Sequence, residues 1–191
     1  GASGTAATGA LCYALNKGAA AYVFHQTIGT DATPVLDATH GYVNQITAAG
    51  YATMYVGDED ITVPAGVTAY SGKVDGTRLV LSEIGDKVPA ATGFVLKGAD
   101  GYYSFMPTTG ASTVSDNDLK GTATTLILSG KTDKYYVLLK PSDAEIGFYK
   151  VTDVVAAGKA YLQLTGGAGV KGFTFADATG LTPALFQEEG E

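Results

Sequence analysis

Few side chains in this sequence carry obvious reactivity, and they gather near its start. Cys12 is the single cysteine, and His25 and His40 are the two histidines. Cys12 as nucleophile, His25 or His40 as base, and Asp31 or Asp37 as the group orienting that base would make a cysteine-dependent enzyme. A hairpin joining Leu11–Leu15 to Tyr22–Ile28 would bring Cys12 near His25. The setting of the thiol argues the other way. Cys12 lies in Leu-Cys-Tyr within an expected strand, where a free cysteine is usually buried packing. No helix N-terminus is expected beside it to lower its pKa. Core packing is therefore the favoured reading of Cys12.

Metal sites are sparsely provided for. His25 and His40 lack a compact ligand spacing, and one cysteine cannot complete a common structural zinc set. Calcium has two candidate runs: Asp58 and Asp60 in Asp58-Glu59-Asp60, and Asp116 and Asp118 in Asp116-Asn117-Asp118. Alternate carboxylates on extended chain can converge on a hard cation. Neither run has the remaining ligands of a calcium loop, and Asp and Asn are ordinary turn residues. No cofactor is expected. The 19 acidic residues single out no pair for glycoside hydrolysis, and tryptophan is absent. Gly166-Gly167-Ala168-Gly169 lacks the Lys-Ser/Thr ending of a phosphate loop and reads as a flexible turn.

Tyrosine is the richer resource, with 12 copies beside 7 phenylalanines. Tyr102-Tyr103 and Tyr135-Tyr136 are adjacent pairs. Neighbours on a strand point to opposite faces, so one ring of each pair should turn outward if the other is core. Outward rings can stack on sugars or anchor a protein partner. Cross-strand aromatic packing is the competing reading.

These residues must be held by strands. Val63-Pro64-Ala65-Gly66-Val67-Thr68-Ala69-Tyr70, Val88-Pro89-Ala90-Ala91-Thr92-Gly93-Phe94-Val95-Leu96 and Val154-Val155-Ala156-Ala157-Gly158-Lys159-Ala160-Tyr161-Leu162 are variants of one phrase. Each sets turn-forming residues directly before an apolar run, the pattern of a strand opened by a fixed turn. Asp75-Gly76 predicts a tight hairpin between Val67–Val74 and Thr77–Ile84. A second hairpin is expected between Gly93–Lys97 and Tyr102–Met106, and a third between Thr122–Leu128 and Lys134–Lys140. Ile146–Val151, Lys159–Leu164 and Gly172–Phe175 extend the series. Helical periodicity is nearly absent. Many short strands without intervening helices predict an all-β fold, an antiparallel β-sandwich or barrel.

Residues 1–48 differ in character. Gly1–Gly9 reads as frayed chain. Two strands at Leu11–Leu15 and Tyr22–Ile28, and another at Tyr42–Ile46, predict a small N-terminal β-extension, or part of a neighbouring module, with too few apolar residues for its own core. Residues 49–191 are expected to form the main β-domain.

Composition narrows the function classes. Hydrophobic residues make up 46% and charged residues only 16%, below the usual quarter. A formal net charge of −7 repels phosphate backbones and anionic lipid, so nucleic acid is not an expected partner. No apolar run approaches the roughly 20 residues that cross a bilayer, so no membrane insertion is expected from this segment. A neutral, Thr- and Tyr-rich surface suits extracellular β-proteins. No signal peptide is present, so an exported protein would have had its leader removed.

An ordered series of motifs points to a family. It comprises Thr47–Tyr55 (TAAGYATMY), Val63–Tyr70 (VPAGVTAY), Pro89–Gly98 (PAATGFVLKG), Asn117–Gly121 (NDLKG), Tyr135–Leu139 (YYVLL), Gly147–Lys150 (GFYK) and Lys159–Leu164 (KAYLQL). The series resembles a β-domain found near the C-termini of surface and secreted proteins of Bacteroides-type gut bacteria. Phe173-Thr174-Phe175 with Asp177-Ala178-Thr179-Gly180 is similar to the close of that domain. Leu11–Asn16 and His25–Asp31 are similar to a segment that often precedes it. The resemblance implies an exported or cell-surface location, an all-β fold and an adhesive or spacer role, and it carries over no catalytic residues. The expected function is thus a non-enzymatic exported surface module whose partner is a protein or glycan surface. The alternative is a carbohydrate-binding module, with or without calcium, and a cysteine-dependent enzyme stands third.

Overall fold

In the computed structural model, residues 5–18, 20–165 and 170–177 are described. The segment expected as a first strand, Leu11–Leu15, is instead the end of a helix, α1 (Thr5–Leu15). Ala and Leu dominate this stretch and favour helix. Its inward residues, Gly9, Cys12 and Tyr13, fall at helical spacing, and Asn16 continues the same face. Gly9 permits a close approach, since a Cβ there would stand 2.9 Å from Ile28 Cδ1. Leu11 and Leu15 point outward. Exposed leucines on a face expected to be polar are why the helical period is hidden in the sequence.

Tyr22–Ile28 is also not a strand. It belongs to a strap, residues 20–41, tied down by single bridges, Ala20 to Thr124 and His25 to Val35. Regular strands then follow in chain order: β1 (Tyr42–Ile46), β2 (Tyr51–Met54), β3 (Asp60–Thr62), β4 (Val67–Asp75), β5 (Arg78–Glu83), β6 (Lys87–Val88), β7 (Phe94–Gly98) and β8 (Gly101–Thr108). After these come β9 (Leu119–Thr122), β10 (Leu126–Ile127), β11 (Lys134–Leu139), β12 (Gly147–Val151), β13 (Val154–Val155), β14 (Lys159–Leu164) and β15 (Gly172–Asp177). Gly166–Gly169, read above as a turn, lies outside the described residues, as do Gly1–Gly4 and Ala178–Glu191.

The fold is all-β, built as a sandwich in which the larger sheet curls into a nearly closed barrel. That sheet runs β2-β7-β4-β5-β15-β12-β11-β14-β9, a second sheet runs β1-β8-β3-β6, and β10 pairs with β13 as a short ribbon. Among the described strands every pairing is antiparallel except β15 with β5. The Asp75-Gly76 hairpin forms as expected, with Asp75 opposite Arg78 and Gly76 at φ +57°. The other two expected hairpins do not form. β7 pairs with β2 and β4, whereas β8 pairs with β1 and β3 in the other sheet. The Gly98–Gly101 connection therefore crosses between layers. β11 takes β12 and β14 as neighbours, and β9 pairs with β14.

Alternation along β7 shows where the core lies. Phe94 and Leu96 face the four-stranded sheet, packing with Tyr42, Met54, Ile61 and Phe105. Val95 faces the barrel interior with Leu79, Tyr136, Phe148, Leu162 and Phe173. A strand buried on both faces reads as an unbroken apolar run, as Phe94–Leu96 does. A third cluster of Leu128, Tyr135, Val155 and Tyr161 lies beneath the β10–β13 ribbon.

The three repeated phrases open β4, β7 and β14. In the turn of each phrase one residue, Gly66, Ala91 or Gly158, adopts the left-handed backbone, at φ +81°, +56° and +71°. One turn geometry is thus used three times, twice with the residue that accommodates it freely.

Candidate functional site

The turn before β14 places Lys159. The Gly158 amide donates to Thr122 O at 2.7 Å, and its carbonyl accepts from the Tyr55 amide at 3.0 Å. Those bonds fix the first residue of β14 in a cleft framed by α1, β1 and β2. Lys159 Nζ donates to Asn44 Oδ1 at 3.0 Å. Asn44 is buried in β1, and its own amide donates to Thr53 O at 3.0 Å, so its oxygen is held toward the lysine.

Two cations share one ring here. Lys159 Nζ lies 5.4 Å from the centre of the Tyr13 ring, and Lys17 Nζ lies 4.9 Å from it. The ring quadrupole attracts both ammonium groups, which repel each other. Tyr13 is in turn braced by Tyr102, with ring centres 5.8 Å apart. Burial first, then the charge on Lys17, lowers the Lys159 ammonium to about 8. Burial pushes the Tyr13 phenol up.

Two adjoining hollows meet at these residues. One, of about 350 Å³, is lined by Tyr13, Gln45, Tyr51, Val137, Lys140 and Lys159 among others. The other, also about 350 Å³, is lined by Tyr13, Lys17, Tyr22, Asn44, Ala157 and Lys159 among others. Among the described residues neither lining contains Asp or Glu. In a chain of net charge −7, a cleft with three lysines and no acid is a local reversal of sign. Its size is that of a small-ligand site.

The residues singled out in the sequence meet different fates. Cys12 is buried in α1, its thiol lying 3.5 Å from Phe24 O. Burial pushes that thiol up to about 11, which opposes thiolate formation. His25 is buried edge-on to Tyr42, with ring centres 4.8 Å apart, and burial lowers its pKa. Its Nδ1 and the Gln26 Oε1 are buried without a hydrogen-bond partner. His40 Nδ1 and Asp31 Oδ2 do meet, at 2.6 Å, but Asp31 Oδ2 also accepts from the Thr27 amide at 2.6 Å. The pair clamps the strap and does not serve Cys12. Asp37 Oδ1 caps its own turn, accepting from the Thr39 amide at 2.9 Å and the Thr39 hydroxyl at 2.8 Å.

Two of the four calcium candidates, Asp60 and Asp118, are occupied by the protein itself. Asp60 accepts from the Ala90 amide at 2.9 Å and the Ala111 amide at 3.0 Å, one on each oxygen. Asp118 accepts from Lys73 Nζ at 3.0 Å and the Val74 amide at 2.8 Å. Asp58 and Asp116 are exposed. Among the described residues no three His, Cys, Asp or Glu side chains converge as metal ligands.

The tyrosine platform is corrected on one side. Tyr135 and Tyr136 are both buried, because the barrel interior covers one face of β11 and the β10–β13 ribbon covers the other. Tyr103 is partly buried against the core, with its hydroxyl on Ala99 O at 3.0 Å. Only Tyr102 reaches the cleft, through Tyr13. Lys159 was missed, though the sequence carried a signal: it occupies the place held by Val67 and Thr92 in the other two copies of the phrase. A charge where its copies are neutral marks a position released from packing.

Among the described residues no helix is long and apolar enough to cross a membrane. Comparison of the chain with protein-family models, with curated proteins and with solved structures finds no match.

Proposed function

We propose that this chain is a non-enzymatic recognition module of an exported, cell-surface protein, holding its ligand in the cleft where Tyr13, Asn44 and Lys159 meet. The observation that carries this reading is the convergence of Lys17 and Lys159 on one tyrosine ring in a cleft without acidic lining. A desolvated ammonium costs stability unless something it binds repays that cost. Exported location rests on the family resemblance of the seven ordered motifs.

The geometry also speaks against turnover at Cys12. A thiol pushed up to about 11 and turned toward a backbone carbonyl is poorly suited to nucleophilic attack. Mapping amide chemical shifts during titration with pooled plant and host glycans and with peptides tests the reading. The expected result is a contiguous set of shifted amides at Tyr13, Asn44, Ala157 and Lys159. A response confined to another face, or hydrolysis of any pool component that Cys12→Ala abolishes, would overturn it.

A further inference from the structure

Beyond a generic ligand, the cleft has a chemical preference written into its charges. We infer that it selects a carboxylate-bearing ligand of monosaccharide to disaccharide size, whose carboxylate sits on Lys159 Nζ. This rests on the proposed recognition role of the same cleft and names what is recognised there.

Lys159 has three donor hydrogens, and Asn44 Oδ1 takes one of them at 3.0 Å. Among the described residues Lys159 forms no ion pair, and its Nζ meets the neutral Asn44 Oδ1 instead. Two donors and one positive charge therefore remain for a ligand. The charge that acts on Nζ is that of Lys17, which follows α1; Lys140, which follows β11, lines the adjoining hollow with its own Nζ on Ala144 O at 2.7 Å. Tyr13 and Tyr22 bring phenols whose ionisation burial opposes, so they supply no negative charge near neutrality. Among the described residues the charged groups that line the site thus have one sign.

The rest of the lining fits the body of such a ligand. Gln45, Thr47 and Tyr51 supply hydroxyl and amide partners, and Val137 and Ala156 supply apolar wall. One half-buried ammonium, with the exposed Lys17 beside it, matches the single charge of a carboxylate. A phosphate, at a charge of about −1.5 to −2, would have to lean on the solvated lysine.

An anion on Nζ also stabilises the protonated amine against burial and against Lys17. Binding should raise the Lys159 pKa above about 8, so affinity should hold near neutrality and fall as pH climbs from 8 to 10.

The test uses paired probes on the intact chain, followed by chemical shifts of the cleft amides and by calorimetry. One pair is the galacturonate disaccharide against the galactose disaccharide. The other is a short peptide with a free C-terminal carboxylate against its amidated form. Preference for the charged member of either pair, about tenfold or more, supports the inference and tells a sugar acid from a peptide carboxylate. Lys159→Gln should abolish that preference, and Lys17→Gln should reduce it severalfold. The neutral amide isotherm of each variant, with an unchanged spectrum outside the cleft, shows that folding is intact. Equal binding of charged and neutral members overturns the inference while leaving the recognition role standing. Stronger binding of inorganic phosphate than of either carboxylate also overturns it. Absence of cleft perturbation by every probe overturns both.

Discussion

Asn16 and Phe24 grip each other at both ends. The Asn16 amide donates to Phe24 O at 2.7 Å, and the Phe24 amide donates to Asn16 Oδ1 at 2.9 Å. A side-chain amide here copies the pairing of a neighbouring strand. It fastens the end of α1 to the strap and so fixes Tyr13 and Lys17 over the cleft. Asn16→Ala should cost about 1–3 kcal/mol, because the Phe24 amide loses its partner and the Phe24 carbonyl keeps only the weaker Cys12 thiol. Denaturant unfolding measures the loss, and hydrogen exchange at Phe24 should rise with it. An unchanged exchange rate would show that the strap is held by other contacts.

Ala91 occupies a backbone shape that its two counterparts fill with glycine. Ala91→Gly should raise stability by up to about 1 kcal/mol, the relief of left-handed strain being partly offset by unfolded-chain entropy. Gly158→Ala should do the reverse and more, since its Cβ would meet Ala21 Cβ at 2.8 Å and the Tyr22 ring at 3.0 Å. Thermal melts of the two variants, measured side by side, should move in opposite directions.

The Cys12 thiol should label slowly in the native protein and rapidly once it is unfolded. Its native rate should keep climbing as pH rises toward about 11, instead of levelling near the ordinary thiol range. Cys12→Ala should cost about 1 kcal/mol of packing. A fast native reaction at pH 7 would contradict the buried geometry.

Acid should loosen the loops before it reaches the core. The Ala111 and Ala90 amides hold the Asp60 carboxyl below the usual carboxylate range. Burial alone would raise Asp31, but the Thr27 amide and His40 outweigh it and hold that carboxyl low as well. Folded pKa values below the unfolded value of about 4 mean that this stabilisation is complete above pH 4. It is lost as pH falls through the folded pKa values. The melting temperature should therefore decline below pH 4, and Asp60→Asn should flatten that decline. A flat acid limb in the parent protein would refute the stabilising role of these two carboxylates.

The strand that closes the barrel should be indispensable. β15 alone joins β5 to β12, and Arg78 holds it by donating to Thr174 Oγ1 at 3.0 Å and Phe175 O at 3.2 Å. Without it the large sheet separates into β2-β7-β4-β5 and β12-β11-β14-β9. A chain ending at residue 165 should lose its cooperative unfolding transition, and Phe173→Ala should cost about 3–5 kcal/mol. Retention of one sharp transition by the shortened chain would disprove the bridging role.

The sequence reported local structure well and long-range pairing badly. Asp75-Gly76 and the three turn phrases specify their geometry through the residues that adopt it, so β4, β5, β7 and β14 were legible. Partners were not, because alternation along a strand says which side chains share a face and nothing about which strand lies beside it. The Gly98–Gly101 loop reads as a hairpin for that reason, although it carries the chain from one sheet to the other. α1 escaped notice because Gly9 and Cys12 face inward while Leu11 and Leu15 face water, inverting the expected contrast. Of the cleft, only Tyr102 was in view. Lys159, Tyr13 and Asn44 come from three distant stretches of chain, and their meeting is a property of the closed sheet.

The parallel pairing of β5 with β15 also imposes a timetable. Arg78 and Thr174 are 96 residues apart, so the edge of β5 that faces away from β4 stays unpaired until almost the entire described chain has left the ribosome. During that interval its flank can recruit a stray strand from another nascent copy. Chaperones that shield half-made sheets should therefore matter more for the yield of this protein than for that of an ordinary meander of hairpins.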